Sequence, residues 1–385
     1  MLSELFKIKI PSHRIVLNNI RIHKELSGAE LSRLTKYQPS TLVYILRSLK
    51  KAGFIRVSRV GNLEGSAGKP PTLWSLNPGM GYILGVEVLP NEFRITVLDF
   101  ACNVIHQENQ VGFNNLNADK TTRITVSFIN RVIKKLNLSR EKIIGVGVAL
   151  PGLVDRKKGH VHYSRRLSLN NVSLQSLLAG ELNLPVEIIN DANAGALGIW
   201  WHLDSKEPLS PNVVFLTLNE KIREMGAGFI LNTHLYEGAQ GTAGEVFVTL
   251  PSITKLIETG KKKFGENQKL IKMINDGEET SLLNIIECAK QNCTISNFIL
   301  KRFSKYIIDE VIRIVEFLNP NLIVIGGDIT EAKFLIQDYI IQKVKKNLKK
   351  IFPTGVVEPE IRFSGFGIYS VSLGATSLFL RKMFL

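Results

Sequence analysis

The chain has 385 residues, 44% hydrophobic and 22% charged, with 49 Lys and Arg against 34 Asp and Glu for a net charge of +15. That length allows two or three domains with cores of their own. No apolar run reaches the roughly 18 uncharged residues of a membrane span, and MLSELFKIKI lacks the plan of a signal peptide, so a cytoplasmic protein that does not enter a membrane is expected.

The charge is uneven. Residues 1–80 hold 13 Lys and Arg against 4 Asp and Glu, a net of +9, whereas the other 305 residues hold 36 against 30, a net of +6. A solvated basic face would account for charge alone, so the apolar pattern decides. In SGAELSRLTKYQPSTLVYILRSLKKAGFI, Ala29, Leu31 and Leu34 fall on one side of a short helix. After a break at KYQP, Leu42, Ile45, Leu46 and Leu49 recur at the spacing of one buried helical face, which Gly53 ends. Two short helices joined by a few residues predict a helix-turn-helix, with Gln38, Ser40, Thr41, Tyr44 and Arg47 at the start and outer side of the second helix, where base edges are read. FIRVSRV and PTLWSL then predict a two-stranded wing, with Arg56, Arg59 and Lys69 as cations for phosphate or the minor groove. Pro39 is tolerable in a first helical turn. The expected partner is double-stranded DNA.

From about residue 82 strands alternate with helices. YILGVEV and FRITVLDF form a hairpin, a helix covers about 119–136, IIGVGVAL is a buried strand ending at Pro151-Gly152, and PVEII leads into the helix NDANAGALGIWW. VVFLTL, GAGFIL, a helical run over about 281–318 and LIVIGG follow, which predicts an α/β body of two lobes around a cleft. KKKFGENQK at 261–269 reads as a solvated linker, His160 and His162 as a hairpin surface, and Trp200 and Trp201 as core or subunit contact. Cys102, Cys288 and Cys293 have no CxC or CxxC spacing and read as reduced thiols, neither a disulfide framework nor a zinc site.

GVGVALPGLVD at 145–155, PVEIINDANAGALG at 185–198, GAGFILNTHLYEGAQGTAGEV at 226–246, LNPNLIVIGG at 318–327 and SVSLGAT at 370–376, taken in order, resemble the ROK family, which groups sugar-responsive repressors with sugar kinases. With the N-terminal helices the resemblance covers nearly the whole chain. It implies an actin-like ATPase (RNase H-like) two-lobe body preceded by an α+β winged helix-turn-helix: a head over 1–78, a first lobe over 79–198, and a second over 199–385 whose last helix returns to the first lobe.

The resemblance also implies site residues. Asn190 and Asp191 match a pair that holds sugar hydroxyls, the aspartate being the general base in the kinases; in isolation a helix N-cap would explain them equally. Glu245 matches a hydroxyl-accepting glutamate, Gly152 follows the Pro-Gly strand near the ligand, and Glu258 aligns loosely with a further glutamate. Arg165 and Arg166 lie in a loop near the ligand and read as solvated charges. The departures are equally specific. The phosphate turn D-x-G-G-T is Glu87-Val88-Leu89-Pro90-Asn91 here, without glycines and with one backbone donor removed. A second turn carries Glu220, Lys221, Arg223 and Glu224 where small residues belong, and a zinc-ligating His is Val248, with the following cysteine loop missing. Neither ATP nor zinc is expected as a cofactor. The expectation is therefore a sugar-responsive regulator of carbohydrate genes, a homodimer or homotetramer in which Asp191 is a vestigial base. An active ROK-type sugar kinase, or a DNA-binding protein governed by a protein partner, are the alternatives.

Overall fold

A computed structural model describes residues 10–60, 70–202, 211–219, 224–249, 251–277, 281–354 and 358–384. The head opens with α1 (Pro11–His23), followed by β1 (Leu26–Ser27), α2 (Gly28–Thr35) and α3 (Pro39–Lys51), then β2 (Ile55–Val60) and β3 (Thr72–Leu76). A capping box starts α2, with the Ser27 hydroxyl accepting from the Glu30 amide at 3.2 Å and Glu30 accepting from the Ser27 amide at 2.8 Å. Leu42, Ile45, Leu46 and Leu49 form the buried face of α3, as its spacing predicts. In α2 only Leu31 is buried; Leu34 is 46% exposed, because the inward face is closed by α1 instead, through Val16, Leu17 and Ile20. The strands form one small sheet in the order β1-β3-β2.

The body begins with β4 (Tyr82–Val88), β5 (Glu92–Asp99), β6 (Val104–Val111), α4 (Ala118–Lys135) and β7 (Ile143–Leu150). A small sheet of β8 (Leu153–Asp155), β9 (His160–Ser164) and β10 (Leu169–Val172) leads to α5 (Leu174–Leu182), β11 (Val186–Asn190) and α6 (Asp191–His202). Five of these strands make the first large sheet, β11-β7-β4-β5-β6. Within it β7, flanked by β11 and β4, is buried at every position, as a strand covered on both faces must be.

A second large sheet is built from β12 (Val213–Leu218), β13 (Glu224–Leu231), β14 (His234–Tyr236) and β15 (Glu245–Thr249). Four helices, α7 (Ile253–Phe264), α8 (Lys269–Asn275), α9 (Leu282–Lys290) and α10 (Thr294–Leu318), precede β16 (Leu322–Gly326), α11 (Lys333–Ile351) and β17 (Glu360–Phe363). The helical run over 281–318 is broken at Asn292, whose φ of 61° lies in the left-handed region. Lys261–Phe264 finish α7 and Lys269 begins α8, so most of the stretch read as a linker is helical.

The last helix, α12 (Ser370–Phe384), lies against the first sheet: the Thr96 and Ser372 hydroxyls bond at 2.8 Å, and a β-carbon on Gly147 would stand 2.0 Å from the Ala375 carbonyl. Helix α6 packs beside α12 and against β12 and β13, so these two helices fill the space between the sheets; it continues unbroken through residue 198. One apolar cluster joins the head to this layer, from Leu17 and Ile20 of α1 to Trp201, Phe100 and Phe384. Among the described residues no helix is long and apolar enough to cross a membrane.

Candidate functional site

Strands β7 and β11 are parallel neighbours, with Leu150 opposite Asn190, so their carboxyl ends lie side by side. In open α/β sheets that edge is where ligands bind. β7 runs into Pro151-Gly152, where Gly152 has φ +126° and a β-carbon would stand 2.4 Å from the Tyr163 carbonyl oxygen; glycine is the residue this turn requires. Across the cleft the carboxyl end of β12 delivers Thr217 and Asn219. Between them lies a cavity of about 740 Å³ whose wall includes Gly152, Asn190, Asp191 and Glu245.

The Asn190 side chain has two tasks. Its amide oxygen accepts from the Asn193 backbone N–H at 3.1 Å, an N-cap of α6, and its Nδ2 donates to the Gly152 carbonyl at 3.1 Å, tying the two strand ends together. The capping reading and the wall position hold together. Asp191 is 5% exposed and takes an N–H bond from Ala192 at 2.9 Å. Burial pushes its carboxyl up to about 6, and the nearby Glu245 charge adds to the rise. A carboxylate poised there is a strong hydroxyl acceptor, and near neutrality it can also take a proton.

Arg165, exposed, and Arg166, half-buried, also line the cavity. Glu258 does not reach it. It projects from α7, 57% exposed, in an ion pair with Lys261 at 3.5 Å. Thr217 and Asn219, 3% and 1% exposed, are wall residues that sequence reading missed; they stand at the end of an apolar strand, and no local pattern marks them.

The first hairpin turns at Leu89–Asn91, where the Leu89 amide is already bonded to the Glu92 carbonyl at 2.8 Å and Pro90 has no N–H to give. Residues 220–223 of the second turn lie outside the described residues, as does Lys69, and nothing is described of the Glu224 and Val248 side chains. Beneath the first turn Glu87 is fully buried, 3.5 Å from Arg94. Desolvation, reinforced by the charges of Asp191, Asp328 and Glu92, outweighs the attraction of Arg94 and pushes Glu87 up to about 8. A carboxyl raised in the fold above its ordinary 4.5 contributes stability that is complete below that value and is lost as pH rises through about 8. Glu87→Gln is therefore expected to flatten the fall in Tm between pH 5 and pH 8.5, by about 5 °C at the alkaline end. Parallel melting curves for the wild type and the variant would refute the assignment.

In the head, Gln38, Ser40, Thr41, Tyr44 and Arg47 are all exposed, with Tyr44 at 70%. Arg56 is exposed on β2, but Arg59 is engaged, its Nε donating to Glu25 at 3.0 Å. The Arg59 side chain stays 66% exposed in that pair. The head meets the body at Arg21 of α1. Its Nη1 donates to the Trp201 carbonyl at 3.1 Å and the guanidinium lies 4.6 Å from the centre of the Trp201 ring. Trp201 is one residue from the end of α6, the helix that begins at Asp191.

The family described as "ROK family" matches this chain over residues 83–382. The xylose repressor of Caldicellulosiruptor bescii is 26% identical over 333 residues, covering 81% of this chain and 82% of that protein. Among solved structures, a ROK family transcriptional regulator described as a homologue of the Escherichia coli MLC protein superposes with a TM-score of 0.72 at 19% identity, over 98% of this chain and 99% of that one. A ROK family glucokinase from Streptomyces griseus, in complex with glucose and AMPPNP, gives 0.63 at 16% identity, over 77% and 99%. These likenesses identify the fold as the actin-like two-lobe body.

Proposed function

Since the chain belongs to the ROK family, we propose that it is a sugar-responsive transcriptional repressor: a winged head over 1–78 binds operator DNA, and lobes over 79–198 and 199–385 sense a carbohydrate. The observation that carries this reading is one helix with two ends. Asn190 and Asp191 begin at the cavity and Trp201 reaches the head. Hydroxyl recognition needs short polar side chains on rigid backbone, which Asn190, Asp191, Glu245 and the buried Thr217 and Asn219 supply. The resemblance to xylose repressors makes a pentose such as D-xylose the first ligand to test, ahead of hexoses and N-acetylhexosamines. Two half-sites and a dimer are proposed, because one recognition helix reads too few bases for operator affinity.

The test is a thermal-shift panel of aldoses followed by DNA selection from random sequence, with and without the stabilising sugar. A panel in which no sugar raises Tm would remove the sensing role. On the selected DNA, Arg47→Ala is expected to weaken binding by about 1–3 kcal/mol if it reads a base, and wild-type affinity to fall steeply with salt as phosphates are neutralised. An affinity indifferent to salt would exclude the head as the DNA-binding element.

The raised Asp191 favours one competing reading, an active sugar kinase with a DNA-binding arm. Against it stand the Gly-free turn and its bonded Leu89 amide. ATP consumption with the same sugars, present in wild type and lost in Asp191→Asn, would establish the kinase instead.

A further inference from the structure

Arg94 is a buried cation in the cleft between the lobes. It lies on β5 opposite Glu87 of β4, 2% exposed. Two of its N–H groups grip Glu92 in fork geometry, Nε to Oε1 at 3.0 Å and Nη2 to Oε2 at 2.7 Å. The same Nη2 donates to Asp328 Oδ1 at 2.5 Å, and Nη1 donates to the Ile368 carbonyl at 3.2 Å. Glu87 and Glu92 belong to the first sheet, whereas Asp328 follows β16 of the second. One guanidinium therefore spans the cleft, and its bond to Asp328 is short and charge-assisted.

The second-sheet end of this bridge touches the cavity wall. The Asp328 backbone N–H donates to Asn219 Oδ1 at 3.1 Å, and Asn219 lines the cavity. Lobes that part must separate Asp328 from Arg94, while Glu87 and Glu92 travel with the arginine on their own strands. The Asp328 bond is thus the charged contact that distinguishes bridged lobes from parted ones, beside the neutral bond to the Ile368 carbonyl. We propose that Arg94 is an intramolecular clasp: by bonding Asp328 it holds the lobes together, and Asn219 ties that closure to the sugar cavity.

The sugar arm of the test rests on the function proposed above; the closure arm does not. Arg94→Ala is unsuitable, because it would leave three carboxylates facing one another. Asp328→Asn keeps the shape and the backbone bond to Asn219 while removing the charge. In the full-length chain without ligand, hydrogen exchange is expected to quicken at least 5-fold in peptides on both walls of the cleft, over 87–94 and 216–219, and to stay unchanged over 118–135. D-Xylose, or whichever panel sugar binds, is expected to bind on the order of 10-fold more weakly, because fewer molecules are in the closed state. Glu87→Gln is the control. It lies on the same strand pair as Arg94 and, compared at pH 5 where its carboxyl is already protonated, should leave cleft exchange at the wild-type rate. Unchanged exchange in Asp328→Asn, or equal quickening in Glu87→Gln, overturns the clasp and leaves the cluster a static part of the core. If no sugar binds the wild type, the sensing role fails, and the exchange comparison still decides the clasp.

Discussion

Replacing Asp191 with alanine is expected to abolish the response to sugar while leaving the ligand-free protein folded and its operator binding intact. The carboxylate is 5% exposed, accepts from the Ala192 backbone N–H and lines the cavity. Each hydrogen bond to a charged group is worth about 1.5–3 kcal/mol, and removal of the acceptor leaves a buried hydroxyl without a partner. Loss of two such bonds weakens affinity about 100-fold or more. At 100 times its dissociation constant a sugar stabilises the wild type by about 2.7 kcal/mol, and Asp191→Ala should show almost none of that shift at the same concentration. The stability of the free protein moves the other way. A carboxyl raised from 3.8 to about 6 favours the fold only while protonated. At pH 8 its removal relieves a desolvated charge, and the ligand-free variant should melt no lower than the wild type. A sugar shift of full size in the variant would place the ligand elsewhere.

The residues that sequence analysis brought to this site were legible because strand ends carry them. PVEIIN followed by DANAGALG names a strand and a helix in one stretch, and IIGVGVAL names a second buried strand ending at Pro-Gly; that Leu150 stands opposite Asn190 comes from the structure. Helix α3 was legible for a similar reason, one apolar stripe bounded by Pro39 and Gly53. Helix α1 escaped because its inner residues, Val16, Leu17 and Ile20, are interspersed with Arg14, Asn18, Asn19 and Arg21, and the residue preceding it, Ile10, offers no side-chain cap. Asn219 and Asp328 were invisible for a deeper reason. Their roles come from contacts 109 and 234 residues apart in sequence, Asp328 to Asn219 and Arg94 to Asp328, and no local pattern encodes such encounters. Arg94 even reads as an ordinary charge alternating along a strand, although its side chain is buried.

Arg21→Ala is expected to separate the two activities: operator binding persists, sugar binding persists, and the sugar no longer alters operator affinity. α6 has 12 residues, so it spans about 18 Å at 1.5 Å per residue. It is braced along that length by α12, where a β-carbon on Gly374 would stand 1.9 Å from the Ala194 carbonyl, so the two backbones touch and a displacement at one end of α6 is carried to the other. At the far end Arg21 bonds the Trp201 carbonyl at 3.1 Å, with its charge at the negative pole of the helix, and lies 5.7 Å from the centre of the Phe384 ring of α12. The same side chain is fixed to its own helix by Asn18 at 3.0 Å. A shift of α6 on ligand binding therefore reaches α1 through a polar contact that alanine cannot make. Allosteric couplings are typically 1–3 kcal/mol, a change of about 5- to 150-fold in affinity, and in Arg21→Ala that ratio should fall towards 1. The loss of a cation over an aromatic ring and of one hydrogen bond costs about 1–3 kcal/mol of stability, which lowers Tm without unfolding the chain. Anisotropy titrations of operator DNA with and without saturating sugar measure the ratio directly. A ratio equal to that of the wild type would mean that the signal leaves the cavity by another path, with α6 only a support.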